Sequence, residues 1–185
     1  MGIRRYSRQN IRAMEVLVVD TLPPELYRAV VNAYSLYIPM EGKTQDNRPD
    51  MRQSECRYIQ RPKDIGRKTP PVPSALIMLD EWIQQYNPHD YEIMAECIQI
   101  TTYREGHFYG MHVDAAPGGD RVLSLTVQLN SPDDYEGGEF VFEKYGEQKL
   151  KAGQACIFNP RLRHEVQKVT KGTRHSMVAW FYATP

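Results

Sequence analysis

The residues whose types and spacing could do chemistry are His112, Asp114, His164 and Arg174. On an extended strand, residues i and i+2 point to the same face, so the imidazole of His112 and the carboxylate of Asp114 can converge on one point. A second imidazole from a distant strand, His164, completes a two-histidine, one-carboxylate set able to grip one face of a metal ion. That set, with open positions remaining, suits non-heme Fe(II). Taken singly each residue is weak evidence, since a lone histidine is more often a core or surface residue than a ligand. Order, spacing and strand context together carry the assignment.

The free face of such an ion accepts a 2-oxo acid through its carboxylate and keto oxygens, with O2 beside it. The far carboxylate of 2-oxoglutarate then needs a deep, rigid cation. An arginine fork meets a carboxylate in two parallel hydrogen bonds, where lysine offers a point charge. Arg174, ten residues beyond His164, is the candidate. Tyr103 and Tyr109 lie upstream of His112, where their hydroxyls face a cosubstrate or substrate or, as strand aromatics, the core. Gln128 sits among Leu125, Val127 and Leu129, and a buried amide in that company needs a partner, which a cosubstrate carboxylate would supply. The acidic turn from Asp133 to Glu139 lacks EF-hand spacing and reads as a hairpin rim. His89, His107 and His175 have no comparable context, and His175, next to Arg174, should point to the opposite face as a structural residue.

A scaffold must hold these groups. Glu15 to Asp20 is a short β-branched run, expected as a buried strand. Thr21-Leu22-Pro23-Pro24-Glu25 reads as a helix start capped by Thr21 or Asp20, with Leu26, Val30, Ala33 and Tyr37 on the buried face. A second helix is expected from Pro73 to Tyr86, with Leu76, Leu79, Trp82 or Ile83 and Tyr86 on one stripe and Asn87-Pro88 as its stop. The period then shortens. Strands are expected at Glu92 to Tyr103, Phe108 to Asp114, Val122 to Leu129, Gly138 to Phe142, Gln154 to Phe158, Arg163 to Val169 and Arg174 to Tyr182, separated by turn residues. Two helices ahead of a run of short strands argue for an α+β fold, with the helices packed on a double-sheet jelly roll.

The chain of 185 residues, 41% hydrophobic and 25% charged, fits a single domain over 1–185, with helices and a loop over 1–90 and the strand-rich core over 91–185. Lys+Arg and Asp+Glu are both 23, so the whole molecule has no excess charge to hold it on nucleic acid or an anionic membrane. Cys56, Cys97 and Cys156 form no Cys-x-x-Cys pair, which points to a reducing cytoplasm rather than a disulfide framework. Residues 1–12 are basic, precede no apolar run long enough for a signal peptide or membrane span, and read as a loose arm. Between Pro39 and Pro73, prolines and glycines interrupt a polar, mostly basic segment with little periodicity. A short strand is expected within it at Arg52 to Tyr58, and part of the segment is a candidate cover for the site.

Several stretches then match a known pattern in order: Tyr103-Arg-Glu-Gly-His-Phe-Tyr-Gly-Met-His112-Val-Asp114, Arg121-Val-Leu-Ser-Leu-Thr-Val-Gln128-Leu-Asn130, Tyr135-Glu-Gly-Gly-Glu-Phe, His164-Glu-Val-Gln and Gly172-Thr-Arg174. Together they closely resemble the prolyl hydroxylase branch of the Fe(II)/2-oxoglutarate dioxygenases, nearest the hypoxia-inducible-factor type and its bacterial and viral relatives. The resemblance covers residues 92 to 183 and implies a double-stranded β-helix. It implies iron on His112, Asp114 and His164, the 5-carboxylate of 2-oxoglutarate on Arg174, and Tyr103 near the cosubstrate. Gln128 falls where the hypoxia-type enzymes carry a second tyrosine that shares this carboxylate. In such enzymes a loop before the core strands closes over the target peptide. This makes Pro39 to Pro73 the positional candidate, with Arg52, Tyr58 and Tyr109 as substrate contacts. The implied reaction consumes O2 and 2-oxoglutarate, with ascorbate as reductant, releases CO2 and succinate, and hydroxylates a prolyl residue of a protein or peptide.

Rival readings share parts of this pattern. A related oxygenase of the DNA-dealkylating kind would want a basic groove and a longer step from the last histidine to the anchor arginine. A small-molecule oxygenase would share the whole ligand set. A silent jelly-roll binding protein would have no need of it.

Overall fold

Alternation along the long strands decides the architecture. The computed structural model describes residues 17–42, 48–62, 73–87, 89–115 and 118–184. In β5 (Ile93–Arg104), Ile98 and Ile100 face one way while Gln99, Thr101 and Tyr103 face the other. The isoleucines join Leu123, Leu125 and Val127 of β7 (Arg121–Gln128) and Met177, Ala179 and Phe181 of β13 (Val169–Ala183) in one apolar cluster. Two helices cover this face. Leu26, Val30 and Ala33 come from α1 (Pro24–Ala33), and Ala75, Leu76, Leu79 and Ile83 from α2 (Ser74–Ile83). Each large apolar side chain buried there contributes roughly 1.5–3 kcal/mol, which holds short helices that are weak in isolation.

The major sheet has eight strands among the described residues. Its order is β1 (Leu17–Thr21), β11 (Gln154–Phe158), β7, β13, β5, β4 (Glu55–Gln60) and β2 (Met40–Glu41), with β8 (Tyr135–Gly137) paired to the start of β13. The minor sheet runs β10 (Gly146–Glu147), β9 (Phe140–Phe142), β12 (His164–Val166), β6 (Phe108–His112) and β3 (Arg52–Gln53). A second apolar cluster of Tyr103, Phe140, Phe142, Leu150, Cys156, Phe158, Val166 and Val169 draws on both sheets and lies between them. Helices on one face of a two-sheet jelly roll are the expected α+β arrangement.

Boundaries differ from expectation in instructive places. The strand expected over Arg163 to Val169 ends at Val166, and Val169 already opens β13, so Arg174 lies inside the last strand rather than at its start. The part of Glu15 to Asp20 that is described belongs to an edge strand with Val19 47% exposed, because β1 pairs with β11 on one side only among the described residues. Neither Thr21 nor Asp20 caps α1: Pro23 is the N-cap and makes no side-chain cap bond. Pro24 at the first helical position removes one of the donors a helix start leaves unpaired. The Asp20 carboxylate instead accepts from the Thr21 N–H and the Tyr86 hydroxyl. Arg52 to Tyr58 is divided at Ser54, so that β3 joins the minor sheet and β4 the major one. Of the second helix's stripe, Ile83 is buried and Trp82 packs at its margin. β2, β8 and β10, of two or three residues each, are too short to show a period and went unexpected. The arm over residues 1–12 and residues 43–47 and 63–72 of the Pro39 to Pro73 segment lie outside the described residues. Among the described residues no helix is long and apolar enough to cross a membrane.

Candidate functional site

Strand pairing brings the two distant histidines together. His112 at the end of β6 is the register partner of His164 at the start of β12, and their ring centroids are 4.3 Å apart. The Asp114 N–H donates to the Pro160 carbonyl at 2.8 Å, which turns its carboxylate towards the rings. His112 Nε2 lies 3.6 Å from Asp114 Oδ1 and His164 Nε2 lies 3.7 Å from Oδ2. One ligand atom from each of the three residues falls within 4.8 Å of the others.

The donor chemistry of this group fits a divalent metal. Each Nδ1 sits 2.8 Å from a backbone carbonyl, Gly110 for His112 and Leu162 for His164. A carbonyl can only accept, so each Nδ1 carries the hydrogen and each Nε2 lone pair faces the common point. Ser124 donates to Asp114 Oδ2 at 2.7 Å. Burial alone would raise the Asp114 pKa. The imidazoles of His112 and His164 beside it and the Ser124 hydroxyl outweigh it and hold the carboxyl at about 2. Burial lowers His164, keeping it neutral, as a ligand must be. Phe140, Phe142 and Phe158 surround the His164 ring at 5.6, 5.8 and 4.9 Å.

Arg174 occupies the interior of the same sandwich. It is the register partner of Tyr103, and its guanidinium carbon lies 5.6 Å from the tyrosine ring centroid. Only 2% of Arg174 is exposed, yet its Nη1 has no hydrogen-bond partner. A buried cationic donor left open is costly, and a carboxylate would satisfy it. The inner face around it is polar by alternation: Ser124, Thr126 and Gln128 on β7, Gln99 and Thr101 on β5, and Ser176 on β13 are all buried. Gln128 pairs across to Ser176 and donates its amide to the Asn130 backbone and side-chain oxygens at 3.0 and 3.1 Å. Burial pushes the Tyr103 hydroxyl up to about 12, so it stays protonated.

The remaining sequence candidates divide between this centre and other parts of the fold. Tyr109 stacks on His112, ring centroids 3.6 Å apart and planes 12° apart. Arg52 lies over the outer side of the same tyrosine, 4.6 Å from its centroid, and is itself buried with bonds to Ser54 Oγ and Cys56 Sγ, both 2.9 Å. Tyr58 is half-buried on β4, and burial pushes its hydroxyl up to about 12. His175 turns to the opposite face, where Nδ1 meets Thr102 Oγ1 at 3.1 Å and Tyr34 packs edge-on at 5.2 Å.

Ser124, Arg121 and Trp180 were missed. Arg121 donates to the Asp114 carbonyl at 3.0 Å, pairs with Glu96 and lies 4.2 Å over the Trp180 ring, whose buried Nε1 has no partner. The alternation Ser124, Thr126, Gln128 was the available signal for a polar inner face.

Residues 98–182 match the family model of the 2OG-Fe(II) oxygenase superfamily. A PKHD-type hydroxylase of Psychrobacter sp. (strain PRwf-1) is 45% identical over 92 residues, covering 44% of this chain and 36% of the relative. A PKHD-type hydroxylase of Maricaulis maris (strain MCS10) is 42% identical over 88 residues, 45% of this chain and 40% of the relative. The matches thus span well under half the length of these curated relatives. Among solved structures, a Pseudomonas putida prolyl-4-hydroxylase aligns with a TM-score of 0.66 at 21% identity over 95% of this chain and 98% of its own. A Trichoplax adhaerens prolyl hydroxylase, solved with a hypoxia inducible factor oxygen degradation domain peptide fragment, gives 0.69 at 18% over 94% and 86%. At these identities the structures speak for the fold.

Proposed function

We propose that this protein is an Fe(II)- and 2-oxoglutarate-dependent dioxygenase that hydroxylates a prolyl residue of a protein or peptide, with ascorbate as reductant, a reading supported by the match of residues 98–182 to the 2OG-Fe(II) oxygenase superfamily model. The observation that carries this reading is the open Nη1 of buried Arg174 in the same sandwich as the His112, Asp114 and His164 group. In this reading the three residues hold the iron, and Arg174 holds the distal carboxylate with Tyr103 and Gln128 beside it. When bound, iron and 2-oxoglutarate supply the O2 chemistry, with release of CO2 and succinate.

The chain's own part is positioning and exclusion. The carbonyls of Gly110 and Leu162 fix both imidazoles in the ligating tautomer, and Ser124 fixes one carboxylate oxygen of Asp114. The phenylalanines around His164 keep water from that side of the metal group. Tyr109, stacked on His112, and Trp180, reached from Asp114 through Arg121, place aromatic side chains beside the metal group for contact with an apolar ring such as proline's. The free, buried Cys56, Cys97 and Cys156 suit a reducing compartment, and we place the reaction in the cytoplasm.

The experiment is to load purified protein with Fe(II), 2-oxoglutarate and ascorbate, present a peptide array, and read the gain of one oxygen by mass spectrometry beside succinate formation. Oxygen gained on prolyl residues is the expected result. Failure of the metal-loaded protein to bind 2-oxoglutarate would overturn the oxygenase reading, and oxygen gained only on other residues or on nucleic acid would overturn the prolyl assignment.

A further inference from the structure

We propose that the cosubstrate site is open beyond Arg174 and accepts 2-oxo diacids longer than 2-oxoglutarate, 2-oxoadipate first among them. The inference rests on the oxygenase reading above and concerns the far end of the same site. A cavity of about 590 Å³ is lined by Gln128, Tyr135, Gly138, Phe140, Leu150 and Arg174, among others. None of His112, Asp114 and His164 lines it, so it lies at the Arg174 end of the site and not at the metal group. Its volume falls in the range of small-molecule sites, roughly 300–1,000 Å³.

Two features suit this space to a diacid. Arg174 lines it and carries a buried, unpartnered Nη1, so a carboxylate that reaches the guanidinium gains a charge-assisted hydrogen bond that no group of the chain supplies. Phe140 and Leu150 offer apolar contact to added methylenes. The Gln128 amide nitrogen is committed to Asn130, so the donor offered to that carboxylate is Arg174. The charges at the rim are mixed: Glu136 pairs with Lys171 and Glu147 with Lys149, which limits repulsion of a second carboxylate.

The chemistry of a longer acid balances as it does for 2-oxoglutarate. The bond between the carboxylate carbon and the keto carbon of 2-oxoadipate breaks, and CO2 leaves. One atom of O2 enters the new carboxylate of glutarate and the other enters the C–H bond of the target.

The test needs no target. Mn(II)-loaded full-length protein is titrated calorimetrically with 2-oxoglutarate and with 2-oxoadipate. The expected result is a dissociation constant for 2-oxoadipate within about tenfold of that for 2-oxoglutarate, a difference of less than about 1.4 kcal/mol. Weaker relative binding than that, with 2-oxoglutarate bound normally, overturns this inference and leaves the oxygenase reading standing. Loss of 2-oxoglutarate binding itself overturns both. Gln148→Trp, at a half-buried position on the cavity wall, should weaken 2-oxoadipate at least about tenfold more than 2-oxoglutarate by filling the space. Leu150→Phe, a smaller change deeper in the wall, is the second variant. Equal effects on both acids in folded Gln148→Trp and Leu150→Phe would overturn the proposal.

Discussion

Gly138 stands against the stem of Arg174: a Cβ on the glycine would lie 3.2 Å from Cδ of the arginine and 2.8 Å from Cγ2 of Val169. The glycine also holds φ at +67°, a conformation that side chains resist. Gly138→Ala should therefore cost about 1–3 kcal/mol of stability and displace the guanidinium. In the folded variant, 2-oxoglutarate affinity should fall by about tenfold or more with metal affinity unchanged, both read by calorimetry. Arg174→Ala should do the same more severely. Unchanged cosubstrate affinity in Arg174→Ala would refute its role as the anchor.

The metal group makes a separable prediction. Ser124→Ala removes the 2.7 Å bond that orients one Asp114 oxygen. Loss of such a supporting bond should weaken metal binding by about 10–100-fold. His112→Ala and Asp114→Ala should abolish succinate formation while leaving the fold, because the apolar clusters are complete without them. Wild-type succinate production by either variant would sink the iron assignment, and circular dichroism with thermal melting checks the fold.

These residues were not equally legible in the sequence. His112 and Asp114 could be paired because two residues apart on a strand means the same face, and that rule needs no knowledge of the fold. His164 followed from residue type and order, but its registry with His112 depends on β12 lying beside β6, which a local pattern cannot show. The Ser124 contact is harder still, since it requires β7 of one sheet to reach the loop after β6 of the other. The long strands and both helices were readable because burial imposes a clear period on them. β1 was misjudged as fully buried because a β-branched run does not reveal which edge of a sheet it occupies.

His175 predicts an acid-sensitive stability. Its ring packs against Tyr34, just past the end of α1, and Thr102 of β5, and burial, then Arg104 and Arg57, lower its pKa from 6.5 against the opposing pull of Asp134 and Glu55. A histidine with a depressed folded pKa is kept neutral by the fold and binds protons more readily when unfolded. Its stabilising effect is complete above 6.5 and is lost as pH falls from there through the folded pKa. Melting curves of wild type and His175→Gln across this range should diverge, with the wild type losing more stability on acidification. Parallel curves would show that His175 does not titrate on unfolding.

Arg52 tests how the target is approached. Its guanidinium is buried behind Tyr109, bonded to Ser54 and Cys56, and the tyrosine in turn stacks on His112. Two hydrogen bonds and a stacked cation of this kind make Arg52→Ala cost about 2–4 kcal/mol. If Arg52 acts by holding Tyr109, the variant should melt lower, and Arg52→Lys, which keeps charge but not the planar fork, should rescue only part of the loss. A direct contact with the target would instead raise the target KM with the melting temperature unchanged. The burial of Arg52 beside the half-buried Tyr109 and Tyr58 favours the first outcome, and we propose the two tyrosines as the direct contacts. Tyr58→Phe should accordingly raise the target KM without lowering the melting temperature.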